Sequence, residues 1–338
     1  MKINILFLLT TALPTLAANI TTIFSLPGPI QPASWFENLA VRPNGKILAT
    51  RGDAPEIWQI DPANPGSGSL LVTVSGAYNL TGIAQVKPRR RRGNGGHGHQ
   101  QQEEEVYVFG SSHIPAPFQV APGSAKAWTL RISASGTPTV VLLAAMPEAR
   151  FINGIAAWDA GRVLLSDTEA EAVYLMDVDT GSYTTAITGL AGINGIQTRK
   201  GSVGEGHAGH RYIYRADHLQ GRLTRIPVTS NAIALGPEEV LASGTSIDDF
   251  AIKVNGNGKG KAYIAAMYEN KIVEVDVPSV VGPNSSAGTP TVLADDLSGT
   301  ETGLVTVVVF GRRAVDRDVL YAAVGQGGGS ASVVAVEL

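Results

Sequence analysis

The chain has 338 residues, 44% of them hydrophobic, with 39 glycines, 19 prolines, no cysteine and a formal net charge of -3. The lack of cysteine excludes disulfide staples, a thiolate nucleophile and any thiolate-bound metal. The small net charge gives no electrostatic basis for a nucleic-acid or anionic-membrane partner, and the Gly and Pro content between short apolar runs predicts an all-β fold.

Met1 to Ala18 sets a lysine ahead of the apolar run Ile5–Leu9 and ends in the small residues Ala17 and Ala18. That is the layout of a removed secretion signal, too short to span a bilayer. It predicts a secretory or extracellular location, with residues 19–338 as one domain. Glycosylation triplets begin at Asn19, Asn79 and Asn284, in keeping with that route. Ile20 to Ser25 alternates like a strand but belongs to no repeat. It is expected to pair with the last repeat, close the ring and remove an exposed edge.

From there a short phrase recurs: Phe36-Glu37-Asn38-Leu39, Leu80-Thr81-Gly82-Ile83, Ile152-Asn153-Gly154-Ile155, Ile193-Asn194-Gly195-Ile196, Ile247-Asp248-Asp249-Phe250 and Glu301-Thr302-Gly303-Leu304. Repetition at roughly 40 to 50 residues indicates a propeller or solenoid. After each phrase come a second apolar strand, such as Ile47–Thr50 or Val163–Ser166, and a third, such as Glu56–Ile60 or Ala172–Leu175. Several alternate apolar with polar, as half-buried antiparallel strands do. The pattern predicts a six-bladed β-propeller of about four strands per blade.

In such a fold the first strand of each blade lies nearest the axis. The second column of the phrase, Glu37, Thr81, Asn153, Asn194, Asp248 and Thr302, would therefore ring the central channel. The turns between second and third strands return to the same face and bring Arg51, His113, Asp167, Asp217, His218, Met267 and Tyr268. Asp167 can also be read as capping its own turn. Insertions at 88–105, 200–210 and 255–261 fall on the far face. His97 and His99 there read as part of a solvated linker rather than a metal site, and Arg89–Arg92 reads as neutralised by Glu103–Glu105.

Two carboxylates and two amides converging on a channel are hard oxygen ligands suited to calcium or magnesium, or to zinc with a nitrogen neighbour. The same residues could instead bond one another and buried water. Either arrangement perturbs a carboxylate pKa, because converging negative charges repel unless a proton or a cation intervenes.

With Glu37, Asn153, Asn194 and Asp248 at successive blade starts, the sequence resembles the SMP-30/gluconolactonase family of six-bladed propellers. The resemblance implies a divalent ion held by Glu37, Asn194 and Asp248, with Asn153 as a fourth wall. Two features depart from the family's lactonases. Asp248 is followed by Asp249-Phe250 where they usually carry glycine, and the approach to the ring looks apolar, with Trp35, Phe36, Phe151, Trp158, Phe250 and Met267. The phrase Glu37-Asn38-Leu39-Ala40-Val41-Arg42-Pro43-Asn44-Gly45 is similar to a secreted fungal subgroup that includes the hetero-Diels-Alderases of tropolonic sesquiterpene biosynthesis.

The resemblance implies a pericyclase acting on hydrophobic small molecules. Acid–base help from Asp217, His218 or His113, with Asp248 and Glu37 in the ring, would release a quinone methide from a hydroxymethyl precursor. Apolar walls would orient it against an alkene, with Arg51 or Tyr268 polarising its carbonyl, and no cofactor would be required. The alternative is a metal-dependent lactone or ester hydrolase. No Gly-x-Ser-x-Gly elbow occurs, which argues against a serine hydrolase. A third reading is a binding propeller without chemistry. A glycan on Asn79, two residues from Thr81, would crowd the channel mouth, so Asn79 is expected to be unmodified if the site is there.

Overall fold

The computed structural model describes residues 18–27, 34–89, 104–115, 119–201, 211–255, 258–279, 287–299, 303–325 and 330–338. The segment before Ala18 that was expected to be a leader, Thr302, Asn284, His97, His99, His207, His210 and most of the insertions expected on the far face lie outside the described residues.

Twenty-four strands form six four-stranded antiparallel sheets arranged as a six-bladed propeller. The chain begins with β1 (Ile20–Ser25). Blade one is β2 (Phe36–Val41), β3 (Ile47–Arg51), β4 (Glu56–Ile60) and β5 (Gly68–Thr73); blade two is β6 (Ile83–Val86), β7 (Glu105–Ser111), β8 (Lys126–Ile132) and β9 (Pro138–Ala145). Blade three is β10 (Ile152–Asp159), β11 (Arg162–Asp167), β12 (Ala172–Asp177) and β13 (Tyr183–Thr188); blade four is β14 (Ile193–Lys200), β15 (Arg211–Asp217), β16 (Arg222–Val228) and β17 (Glu239–Ser243). Blade five is β18 (Phe250–Val254), β19 (Gly260–Ala266), β20 (Lys271–Val277) and β21 (Thr291–Ala294); blade six has β22 (Leu304–Phe310), β23 (Val319–Gly325) and β24 (Ser332–Glu337).

As the sequence led us to expect, β1 is the fourth strand of blade six. It pairs with β24 from Ile20↔Val336 to Ser25↔Ser332. Phe24 on β1 also packs on blade one, 5.8 Å from the Trp58 ring and 6.4 Å from that of Phe36. Ile23 O accepts from Gly66 N at 2.7 Å, so one strand ties both sides of the last seam.

Burial explains why the blades stand face to face. Six apolar clusters fill the seams between neighbouring blades; one joins Ile23, Phe36 and Ile47 to Val307 and Val333, another joins Val106 and Val108 to Leu165 and Tyr174. Each buried large side chain contributes ~1.5–3 kcal/mol. Hydroxyls stitch the inner strands: Thr50 Oγ1 donates to Thr81 O at 2.7 Å, Thr81 Oγ1 to Ile152 O at 2.8 Å, Ser166 Oγ to Asn194 O at 2.6 Å and Thr306 Oγ1 to Phe36 O at 2.7 Å. The glycine in the repeated phrase permits this approach. A Cβ on Gly82 would lie 2.3 Å from Asn153 O, and Gly82 N donates to that oxygen at 2.7 Å.

Candidate functional site

The ring face is built where the first strand of each blade begins. Trp35 precedes β2, and its indole Nε1 donates to Glu37 Oε2 at 2.6 Å. The indole lies over Gly52, where a Cβ would come within 2.3 Å of Nε1. Behind it, Arg51 is clamped by Asp53 and by Glu56 at 2.7 Å, and Asp53 Oδ1 accepts from Trp35 N at 3.4 Å. Arg51 thus supports the loop that presents Trp35, with its guanidinium engaged by carboxylates.

Across the joint between blades four and five, Asn194 Nδ2 donates to Asp248 Oδ1. The other oxygen, Asp248 Oδ2, is buried and meets no hydrogen-bond partner among the described residues. Asp249 also enters this cluster. Its Oδ1 accepts from Phe250 N at 2.7 Å, its Oδ2 accepts from Asn38 Nδ2 at 2.9 Å, and it presses against the bare face of Gly195. Asn153 turns aside and donates to Thr168 Oγ1 at 3.2 Å, while Thr81 is spent on the backbone stitch.

Burial dominates the electrostatics. Removal from water raises Glu37 above the usual carboxylate range, and the Trp35 donor only partly opposes that. Asp248 is driven well up by burial, then by the charges of Glu37 and Asp249, against one bond from Asn194. Burial carries Asp249 to about 7, although Phe250 N and Asn38 pull the other way. The cluster therefore holds protons that exposed carboxylates would have lost.

An oxygen set of Glu37, Asn194 and Asp248 matches a hard divalent cation in chemistry, and the unpartnered Asp248 Oδ2 is the atom that such an ion, or a proton, would satisfy. Among the described residues no three His, Asp or Glu side chains gather closely enough to hold an ion alone. The asparagine oxygen would have to complete the set.

Other expected site residues lie elsewhere. Phe36 and Phe250 are fully buried in the seams between blades, so neither lines the channel. Trp158 is at the far end of β10 from Asn153, buried, with its Nε1 on Ser230 O at 3.0 Å. Asp217 caps its turn, accepting from Gln220 N at 3.0 Å and Arg222 at 2.9 Å. His218 is exposed beside that turn with Nδ1 2.9 Å from Gly192 O, and His113 stacks on Tyr78 at 3.8 Å. Asp167 caps its turn as well, through Arg150 N, Phe151 N and Ala170 N. Arg89 pairs with Asp177 and Asp179 rather than with the neighbouring glutamates, of which Glu104 holds Arg131 and Glu105 holds Arg42.

Trp35, Phe151 and Met267 are half-buried on the ring face, and Tyr268, in a 3-10 turn, is 73% exposed. The sequence reading missed two further apolar side chains there: Tyr78 is 59% and Leu219 67% exposed. Both sit in connections that reach the channel mouth. Asn79 is 6% exposed, with Oδ1 accepting from Ser112 N at 3.0 Å.

No family model matches the chain. A Phoma sp protein provisionally named a hetero-Diels-Alderase is 24% identical over 319 residues, spanning 85% of this chain and 82% of that protein. Among solved structures, a luciferin-regenerating enzyme superposes with a TM-score of 0.60 at 10% identity, covering 95% of this chain and 96% of its own. A calcium-binding regucalcin from Agrobacterium tumefaciens gives 0.54 at 14% identity, covering 91% and 92%. Virginiamycin B lyase from Staphylococcus aureus gives 0.50 at 12%, covering 95% and 99%. At such identities the structural likenesses establish the architecture. The chain is a six-bladed propeller of the shape these proteins share. No helix among the described residues is long and apolar enough to cross a membrane.

Proposed function

We propose that the protein is an enzyme of the hetero-Diels-Alderase kind, acting on hydrophobic natural-product intermediates at the ring face. The observation that carries this reading is the carboxylate cluster of half-buried Glu37 and buried Asp248, whose Oδ2 meets no hydrogen-bond partner among the described residues. It is supported by the likeness to the Phoma protein along most of both chains.

A carboxylic acid kept protonated by burial is a general acid near neutral pH. In the proposed first step it gives its proton to the hydroxyl of a hydroxymethyl-bearing enol or phenol, and the C–O bond breaks to release water. The carboxylate so formed takes the ring hydroxyl proton, which leaves a neutral quinone methide and restores the acid. The second step is a cycloaddition in which one C–C and one C–O bond form without proton transfer. Trp35, Phe151, Met267, Tyr268, Tyr78 and Leu219 supply the apolar rim that would hold diene and alkene together, converting a bimolecular encounter into an effectively unimolecular one. This assigns acid–base work to Glu37 and Asp248 rather than to Asp217, His218 or His113.

A second reading is a metal-dependent lactone or ester hydrolase, favoured by the oxygen donor set and by the calcium-binding description of the Agrobacterium propeller. A cation held by Glu37, Asn194 and Asp248 would supply Lewis acidity toward a lactone carbonyl. Purified protein incubated with a hydroxymethyl precursor and a strained alkene should accelerate cycloadduct formation over buffer, and Glu37→Gln and Asp248→Asn should each lose most of that acceleration. Lactone hydrolysis that requires added calcium or magnesium, without cycloadduct, would replace this reading with the second.

A further inference from the structure

The other end of the channel is basic. There the strand ends of blades two, three, four and six surround a cavity of ≈ 580 Å³, lined by Lys87 after β6, Trp158 and Asp159 on β10, Lys200 closing β14, Arg211 opening β15 and Arg312 after β22. Six residues of β14 separate Lys200 from Asn194, about 20 Å at the rise of a strand. The cavity is therefore distinct from the carboxylate ring.

Four of its lining cations lack a carboxylate at ion-pair distance among the described residues. Several guanidinium groups elsewhere are matched by carboxylates, as in Arg42 with Glu105 at 2.8 Å, Arg162 with Asp159 at 2.5 Å and Arg225 with Glu239 at 2.6 Å. Among the described residues, Lys87, Lys200, Arg211 and Arg312 have no carboxylate at ion-pair distance, and the lining carboxylate, Asp159, is taken by Arg162 through both Nε and Nη2. The two arginines are nevertheless held in place. Arg211 lies over the Trp158 ring at 4.4 Å and donates Nη1 to Trp158 O. Arg312 gives Nη1 to Val41 O at 2.9 Å and to Gln85 Oε1. Among the described residues neither Nε nor Nη2 of either arginine is engaged, and a guanidinium carries five N–H donors in a rigid fork suited to phosphate oxygens.

We propose that this far mouth of the channel binds a small, multiply charged oxyanion of the diphosphate class, gripped by Arg211 and Arg312 with Lys87 and Lys200 at the rim. The concave shape and volume suit a small molecule, since ligand pockets span roughly 300–1,000 Å³. An extended nucleic-acid backbone would instead call for a stripe of cations along an open face.

The test is calorimetric titration of the full chain with inorganic pyrophosphate at low ionic strength. Saturable one-to-one binding that weakens with added salt is expected, with orthophosphate markedly weaker. Arg211→Gln/Arg312→Gln should weaken pyrophosphate binding at least ten-fold, ~1.4 kcal/mol. Lys87→Gln/Lys200→Gln, on exposed side chains that carry no packing, should weaken it in the same direction. That lysine pair decides the matter if the arginine variant fails to fold. Arg150→Gln, on an exposed arginine at the ring face, should leave binding unchanged. No saturable binding by the wild type, equal affinity for orthophosphate, or pyrophosphate binding that survives the substitutions would each overturn the proposal.

Discussion

Asn38 donates its side-chain amide to Asp249 Oδ2 at 2.9 Å, linking the inner strand of blade one to the entry of blade five across the channel. These two residues are 211 positions apart, and their bond exists only in the closed ring. It places a third carboxylate beside Glu37 and Asp248, in a slot that glycine occupies in blades two, three and four.

Stability should therefore fall as pH rises through neutrality. Asp249 goes from 3.8 in an exposed chain to about 7 in the fold, and a raised acid pKa means that folding favours the protonated form. Its contribution is complete below pH about 4 and is lost as pH climbs to about 7, on the order of 4 kcal/mol in all. Glu37 and Asp248 act in the same direction. Denaturant melts of chelator-treated protein from pH 5 to 8 should show this decline, and Asp249→Asn should flatten it. A flat wild-type profile would contradict the assignment.

Trp35→Phe keeps a ring over Gly52 and removes the donor to Glu37. Without that bond Glu37 rises further, so the substitution should destabilise by about 2 kcal/mol at pH 8, the range for a bond to a charged group. At pH 5 the loss should be smaller, because the raised pKa leaves less of Glu37 ionised there than at pH 8. Equal losses at both pH values would mean that the indole N–H does not act through the carboxylate.

Gly82→Ala puts a methyl 2.3 Å from Asn153 O and 2.7 Å from Ile155 N. Both are backbone atoms of the next blade, so no rotamer change relieves the clash. A loss of ~1–3 kcal/mol is expected from overpacking, read as a lower urea midpoint. Gly236→Ala, where the added Cβ would make an ordinary 3.5 Å contact with Pro227, serves as the comparison.

Asn79 should carry no glycan when the chain is made in a eukaryotic secretory host, because its amide is buried and its oxygen holds Ser112 N. Peptide mapping should find Asn79 unmodified. Asn79→Ala should cost about 1–3 kcal/mol by leaving the Ser112 N–H unpaired in the interior.

The blades were legible because each repeats the same alternation, and a two-residue period marks a strand wherever one face is buried. The same period shows why Phe36 and Phe250 do not line the site. Neighbours on a strand point to opposite faces, so Glu37 facing the channel sends Phe36 into the seam. Trp158 follows from strand length, since five residues beyond Asn153 carry it to the far end of β10. Asp249 was hidden by the alignment of the repeats, which set it in the glycine column, and Asn38 by sitting one place past the ring position. Their meeting depends on ring curvature, which no single repeat encodes. Asp217 has the residue type of a catalytic acid, but only the fold shows it committed to Arg222 and a turn.

The pairing of β1 with β24 makes the first and last strands one structural unit. Ile20 pairs with Val336 at the other end of the six repeats, so forming this seam carries a long loop-closure entropy. Removing β1 would bare the β24 edge of blade six together with the apolar face of blade one that Phe24 covers, and give the molecule a route to pair with its own copies.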